Sequence, residues 1–319
     1  MPKVGVACHF FYNIPEMKAE LLAKYPDAKF APDGVSYMDR ANYIDLFKDC
    51  DAILAAIRPI MDEEMLRALP NLKVLACCSA GLDHVDPAAF NKRGVKVGWG
   101  AGVNKEAVSE FALGLILDVL RDISLSNGAI RAGKQWPMRG SAQLLRGKTV
   151  GIHGCGHIGQ ALVRLLQPFG CTIIANDTRD FPDFYTQYGV KPVSAEELWA
   201  KSEILSIHLS KNSTTRGLYS ASVLDKLRPG IILVNTARGG IVDDKALIPR
   251  LKSGKIAYAA FDVFDGEPNL DPELVTLPNM LATSHLAGLC KESLIAMSRA
   301  GINGITDNWL PKPGVYPFD

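Results

Sequence analysis

The hydrophobic positions of this chain fall in short continuous runs separated by stretches of three- and four-residue periodicity. Apolar runs at residues 4–8, 52–56, 74–78 and 95–97 alternate with helix-compatible segments at 17–24 and 63–68. Such runs fit strands covered on both faces, and their alternation with amphipathic segments predicts an α/β fold on a mostly parallel sheet. From Asn104 the period changes: Ala107, Val108, Phe111, Ala112, Leu115, Ile116, Val119 and Leu120 recur at helical spacing, with Asn104 placed to cap. That pattern predicts one long helix, with Gly100, Ala101 and Gly102 as a flexible joint before it. A second series of strand-like runs follows at 149–153, 171–175, 204–207, 231–234, 257–261 and 280–282. Six strands make a full dinucleotide-binding sheet. After Cys290, the residues Leu294, Ile295, Met297, Ile302 and Ile305 predict a helix that returns to the N-terminal region. The expected organisation is therefore a discontinuous domain of residues 1–101 plus 290–319 and an inserted domain of residues 102–289, with no internal repeat.

Length and composition narrow the class without changing that picture. The 319 residues amount to about two average domains. With 48% hydrophobic and 22% charged residues the chain is an ordinary folded one, not a disordered or fibrous one. Lys and Arg number 35 against 34 Asp and Glu, so the balance of +1 gives no reason to expect nucleic acid or an anionic membrane as partner. The apolar run Phe111 to Leu117, ended by Asp118, is far short of the ~20 residues of a spanning helix. No cleavage pattern follows the apolar stretch Val4 to Phe11, so a cytoplasmic location is expected. The seven cysteines are odd in number and irregularly spaced, as reduced thiols would be, and none is a metal or nucleophile candidate. His153 and His157 are four apart, but a Gly-rich turn interrupts them and no carboxylate cluster accompanies them, so no metal site is expected.

The chemistry begins at Gly154-Cys155-Gly156-His157-Ile158-Gly159, which follows the strand run 149–153 and opens a helix-compatible segment. In that setting Gly154 permits a tight turn, Gly156 lets a pyrophosphate approach the backbone, and Gly159 lets helix pack on strand. Asp177 stands 23 residues beyond the first glycine, at the end of the next strand, where a carboxylate can accept hydrogen bonds from adenosine ribose hydroxyls and repels a 2′-phosphate. This favours NAD over NADP, although Arg179 keeps NADP open. Arg238 lies just past the run 231–234, at the strand end where open α/β sheets bind ligands, and could grip a carboxylate through two parallel hydrogen bonds or serve a structural ion pair. Asp262, Glu267 and His285 also follow successive strands. A carboxylate beside an imidazole favours its protonated form and orients the ring for proton transfer.

With these residues in place the sequence resembles the NAD-dependent D-isomer-specific 2-hydroxyacid dehydrogenases. The likeness spans nearly the whole chain and is tightest from Leu145 to Gly288, through Leu145-Arg146-Gly147-Lys148-Thr149-Val150-Gly151, then Pro229-Gly230 to Gly240, then Asp262-Val263-Phe264. The resemblance implies a flavodoxin-like substrate domain carrying an inserted Rossmann domain with a parallel sheet. It implies Arg238 as the substrate-carboxylate arginine, Glu267 as the partner of the catalytic histidine, His285 as that histidine, and Asp262 as the residue that holds the nicotinamide carboxamide. His157, Ile158, Thr236, Ala237, Gly288 and Val108 are implied beside the cofactor. In Ser79-Ala80-Gly81-Leu82-Asp83 the amides of Ala80 and Gly81 are implied to hold the substrate carboxylate, and consecutive amides at a Gly-containing turn do form an anion-binding concavity.

The implied reaction moves a hydride between NAD(H) and C2 of a small 2-oxo or D-2-hydroxy acid, glyoxylate-, hydroxypyruvate- or phosphoglycerate-like. Arg58 could face a distal acidic group or be a solvated rim charge. Relatives dimerise, and Trp136 and Arg139 would then reach a neighbouring subunit. A different class sharing this fold is an NAD-sensing corepressor-like binding protein. Two departures stand out: Ser284-His285-Leu286 where Pro-His is common, and Trp99-Gly100-Ala101-Gly102 where Asn-x-Pro-Gly often precedes the long helix. Glu267, rather than Gln, sets the chain apart from the formate dehydrogenase branch.

Overall fold

The computed structural model describes residues 1–32, 38–134 and 142–318. The chain divides into two compact units, Met1–Asn104 with Gly288–Asp319, and Lys105–Ala287. These cuts fall three and two residues from the sequence-based ones. Val103 packs into the core of the first unit, which carries the boundary past the glycines.

In the first unit β1 (Val4–Ala7), β2 (Lys29–Phe30), β3 (Ala52–Ala55), β4 (Val74–Cys77) and β5 (Lys96–Gly98) form a parallel sheet in the order β2-β1-β3-β4-β5, the flavodoxin-like order. The apolar runs are continuous because both faces are covered. Ile53, Ala55, Leu75 and Cys77 enter one core, while Ala52, Leu54, Ala76 and Cys78 enter the other with Met297, Ile302 and Ile305 from helix Lys291–Gly304. All seven cysteines are free thiols.

The second unit is built on β6 (Thr149–His153), β7 (Thr172–Asn176), β8 (Lys191–Pro192), β9 (Ile204–Ile207), β10 (Ile231–Asn235), β11 (Ile256–Phe261) and β12 (Met280–Ala282). All are parallel, in the order β12-β11-β10-β9-β6-β7-β8. The sheet thus has seven strands among the described residues, not six. The seventh, β8, and its counterpart β2 are two-residue edge strands held by backbone pairing, so no apolar run announces them. β7 lies one residue later than the run 171–175, because pairing with β6 extends to Asn176 opposite His153. Helix Lys105–Arg121 buries Ala112, Leu115, Ile116, Val119 and Leu120 against Ile152, Leu162 and Leu166. Each large side chain so buried contributes about 1.5–3 kcal/mol. No helix among the described residues is long and apolar enough to cross a membrane.

Candidate active site

β6 and β9 are neighbours, yet the chain leaves β6 toward β7 on one side and returns to β9 on the other. Their carboxyl ends therefore flank the point where strand order reverses, which is where open sheets of this kind bind ligands. The glycine loop sits there. Gly154 has φ +96°, and a Cβ on it would lie 2.7 Å from the His208 carbonyl beyond β9; one on Gly159 would lie 2.2 Å from the Gly154 oxygen. Neither position accepts a side chain, so the loop hugs the strand ends and helix His157–Leu166 starts directly above them. His157 is exposed and Ile158 half-buried at that helix start.

Asp177 follows β7 and accepts hydrogen bonds from Cys155 N (2.7 Å) and Arg179 N (2.9 Å). It thus braces the glycine loop, and roughly two of the four acceptor positions of a carboxylate remain. A recess of about 190 Å³ opens beside it, lined by Asp177, Thr178, Arg179, Asp180, Tyr185 and Val193. The Arg179 guanidinium lies over the Phe181 ring. Thr236 Oγ1 past β10 and His208 Nδ1 past β9 are buried with no hydrogen-bond partner among the described residues. Buried polar atoms are nearly always paired, so both fit contacts to a bound molecule along this crevice. Burial holds the His208 ring well below the usual histidine range, at about 4. Glycine loop, ribose-side carboxylate and orphaned polar atoms together match what a dinucleotide requires.

Beyond β10 the Asn235 side chain accepts from Ala237 N (3.0 Å) and donates to Arg238 O (3.2 Å), closing the turn that presents Arg238. Arg238 Nη1 also donates to Ala237 O (2.8 Å). After β11, Asp262 is 1% exposed. Its carboxylate accepts from Thr283 Oγ1 (2.6 Å), Leu286 N (2.8 Å) and Ala287 N (2.9 Å), and its carbonyl accepts from His285 N (2.9 Å). Asp262 therefore straps down the loop that carries His285, a role the sequence did not suggest. His285 itself has φ +57°, a conformation a non-glycine residue adopts only when its surroundings enforce it.

The His285 ring is held through Nδ1 by Glu267 Oε2 at 2.8 Å. Burial pushes the Glu267 carboxyl up, but hydrogen bonds from His285 and Phe264 N, with the nearby Arg238 charge, outweigh this and leave it below the usual range. An ionised Glu267 only accepts, so Nδ1 carries the hydrogen and Nε2 remains for proton exchange. The second unit thus brings Arg238, Glu267, Asp262 and His285 together at adjacent strand ends, with Thr236 and Ala237; Val108 is buried in the helix Lys105–Arg121.

The matching family model is described as "D-isomer specific 2-hydroxyacid dehydrogenase, NAD binding domain" and covers residues 113–287. The chain belongs to the D-isomer specific 2-hydroxyacid dehydrogenase family. Its cofactor is NAD. Among curated members it is 36% identical over 263 residues to D-3-phosphoglycerate dehydrogenase of Mycobacterium leprae, 82% of this chain and 49% of that one. It is 32% identical to glyoxylate reductase of Thermococcus litoralis, over 90% of this chain and 88% of the other. The chain spans about half the length of the phosphoglycerate dehydrogenases it matches. A solved glyoxylate reductase from Paecilomyes thermophila superposes with a TM-score of 0.84 at 28% identity, covering 95% of this chain and 94% of that one.

The remaining candidates lie in the first unit. Ala80 and Gly81 follow β4 in a turn closed by Ser79 Oγ, which donates to Gly81 O (2.8 Å). Arg58 is exposed after β3 between the exposed Ile57 and Ile60, and Gly288 opens the returning segment. Trp136 and Arg139 lie outside the described residues. Sequence reasoning missed the bracing roles of Asn235 and Trp99, which bond backbone, and of Thr283, which bonds the Asp262 carboxylate. Asn at a strand end is the one readable signal among them.

Proposed function

We propose that this chain interconverts a small D-2-hydroxy acid and its 2-oxo acid. The observation that carries this reading is the His285–Glu267 pair, an imidazole fixed through Nδ1 by an ionised carboxylate at the strand ends of the NAD-binding unit. NAD, when bound, supplies or accepts the hydride at C2. In reduction, protonated His285 donates from Nε2 to the carbonyl oxygen while Glu267 stabilises the imidazolium. In oxidation, neutral His285 accepts the hydroxyl proton. Arg238 grips the substrate carboxylate, and its charge offsets the oxyanion forming at C2; the amides of Ala80 and Gly81 are the carboxylate donors this reading assigns to the first unit. Fixing the carboxylate fixes the face of C2 that meets the cofactor, which gives a D product.

These groups read only the carboxylate, and Arg58 of the first unit, exposed between two exposed isoleucines, is this reading's candidate for a distal acidic group on the substrate. Glyoxylate and hydroxypyruvate head the candidates, with a phosphoglycerate-type substrate engaging Arg58 as the other. These fit relatives named as glyoxylate reductases and phosphoglycerate dehydrogenases. The residues of the first unit form the substrate domain in this reading, the enzyme works in the cytoplasm, and NADH is preferred to NADPH because of Asp177. A homodimer is supported by helix Ile123–Arg131, which buries none of its residues and leaves Ile123 56% and Ile130 48% exposed near Leu144 in sequence.

The test is NADH oxidation over a panel of 2-oxo acids, repeated with NADPH, with sedimentation for the oligomer. Turnover of a small 2-oxo acid is expected. NADH binding without turnover of any of them would overturn the proposal and favour the NAD-sensing alternative.

A further inference from the structure

The turn after β4 is held from behind by an unusual donor. Trp99 Nε1 is shared between two acceptors, Ser79 O at 3.0 Å and Ala80 O at 3.2 Å. In a trans peptide the C=O and N–H of one unit point in opposite directions. The Ser79 carbonyl shares its plane with the Ala80 amide, and the Ala80 carbonyl shares its plane with the Gly81 amide. Drawing both carbonyls to a single hydrogen therefore turns both N–H groups to the opposite side, next to each other. Neither amide has an acceptor among the described residues. Ser79 Oγ holds the third carbonyl of the turn, that of Gly81.

The indole is itself fixed. Trp309 pairs its backbone with Val97 through two hydrogen bonds (2.8 and 3.0 Å), which brings its ring beside that of Trp99, with centroids 6.3 Å apart. Tyr316 sits at 6.3 Å from the same indole. A rigid aromatic cluster thus places one N–H on two carbonyls, and donation to a carbonyl polarises its peptide and strengthens the amide at the other end.

We propose that Trp99 is a positioning residue for the substrate carboxylate, aiming the Ala80 and Gly81 amides at it without touching substrate. This rests on the reading that the turn binds that carboxylate.

The experiment compares Trp99→Phe, which keeps the ring against Trp309 and Tyr316 and deletes the donor, with Trp99→His, which keeps a ring N–H, and with Arg238→Lys. For Trp99→Phe, KM for the 2-oxo acid and Ki for oxamate are expected to rise together about tenfold, with kcat and KM for NADH changed less than twofold. Trp99→His should recover part of the loss. In the wild-type protein the Trp99 indole ¹H–¹⁵N resonance should shift when oxamate saturates the NADH complex, a readout that does not depend on a variant folding. Unchanged KM and Ki in Trp99→Phe, or an indole resonance unmoved by oxamate, overturns the proposal while Arg238→Lys still raises KM. A parallel loss of kcat and NADH affinity marks a merely structural residue and also overturns it. If Arg238→Lys leaves KM unmoved as well, the carboxylate reading itself has failed.

Discussion

At the scale of single residues, the two charged groups of the reaction separate cleanly in what they contribute. In the proposed reaction His285 exchanges a proton only as the barrier is crossed, so His285→Ala should lower kcat by about 100- to 10,000-fold and change KM for the 2-oxo acid little. In the same proposal Arg238 grips the ground state as well, so Arg238→Ala should chiefly raise that KM, by about 100-fold. Steady-state kinetics of the two variants check the assignment; normal kinetics in both would remove it. These residues were legible in the sequence because each follows a strand at a recognisable spacing. Their braces were not. Asn235 and Thr283 act through one or two hydrogen bonds to partners that only the folded loops supply, and Asp262 bonds residues 21 to 25 positions away.

At the scale of an element, Asp262 holds the loop 283–287 at four points. Asp262→Ala would strand the buried Ala287 amide and the partly buried Leu286 amide, so a loss of about 2–3 kcal/mol in stability and a kcat reduction of at least tenfold are expected. Hydrogen exchange should quicken at Leu286 and Ala287 first; unaltered protection there would refute the strap.

A second carboxylate braces the neighbouring loop at a cost. Asp244 accepts from Asp265 N, while burial and the nearby Asp265, Asp243 and Asp271 push its carboxyl up to about 6. Because the folded protein favours its protonated form, this contribution is full below about pH 3.8 and is lost as pH rises through about 6. Asp244→Asn should therefore raise Tm at pH 7.5 by a few degrees, about 1 kcal/mol after allowance for solvent screening, with no gain at pH 4. Calorimetry at the two pH values checks it, and an equal gain at both would show the charge is not the cause.

At the scale of the whole molecule, each unit carries a buried histidine that must stay neutral. His84 is 1% exposed in the first unit beside Cys77, and His153 is 5% exposed in the second, bonded to Tyr219. Burial pushes both down to about 4. Unfolded, they bind protons from about pH 6.5, so their contribution is full above that value and lost as pH falls to about 4. The loss is roughly 3 kcal/mol for each ring, so the Tm of both units should drop steeply between pH 6.5 and 4.5. A flat Tm across that window would contradict the burial of these rings.

The sequence by itself determined the α/β class, the glycine loop with Asp177, and the set Arg238, Glu267 and His285. Each of these depends on periodicity or short spacing, which the linear order of residues records. The tertiary structure alone decided the edge strands β2 and β8, the strap from Asp262, the pinning of the Ser79–Gly81 turn by Trp99, and the orphaned Thr236 and His208 atoms. In the first three cases the deciding partners are mainly backbone groups brought close by folding, and backbone groups are the same at every position, so no choice of side chain announces where they will meet; in the last, the packing of the folded strand ends decides which polar atoms are buried.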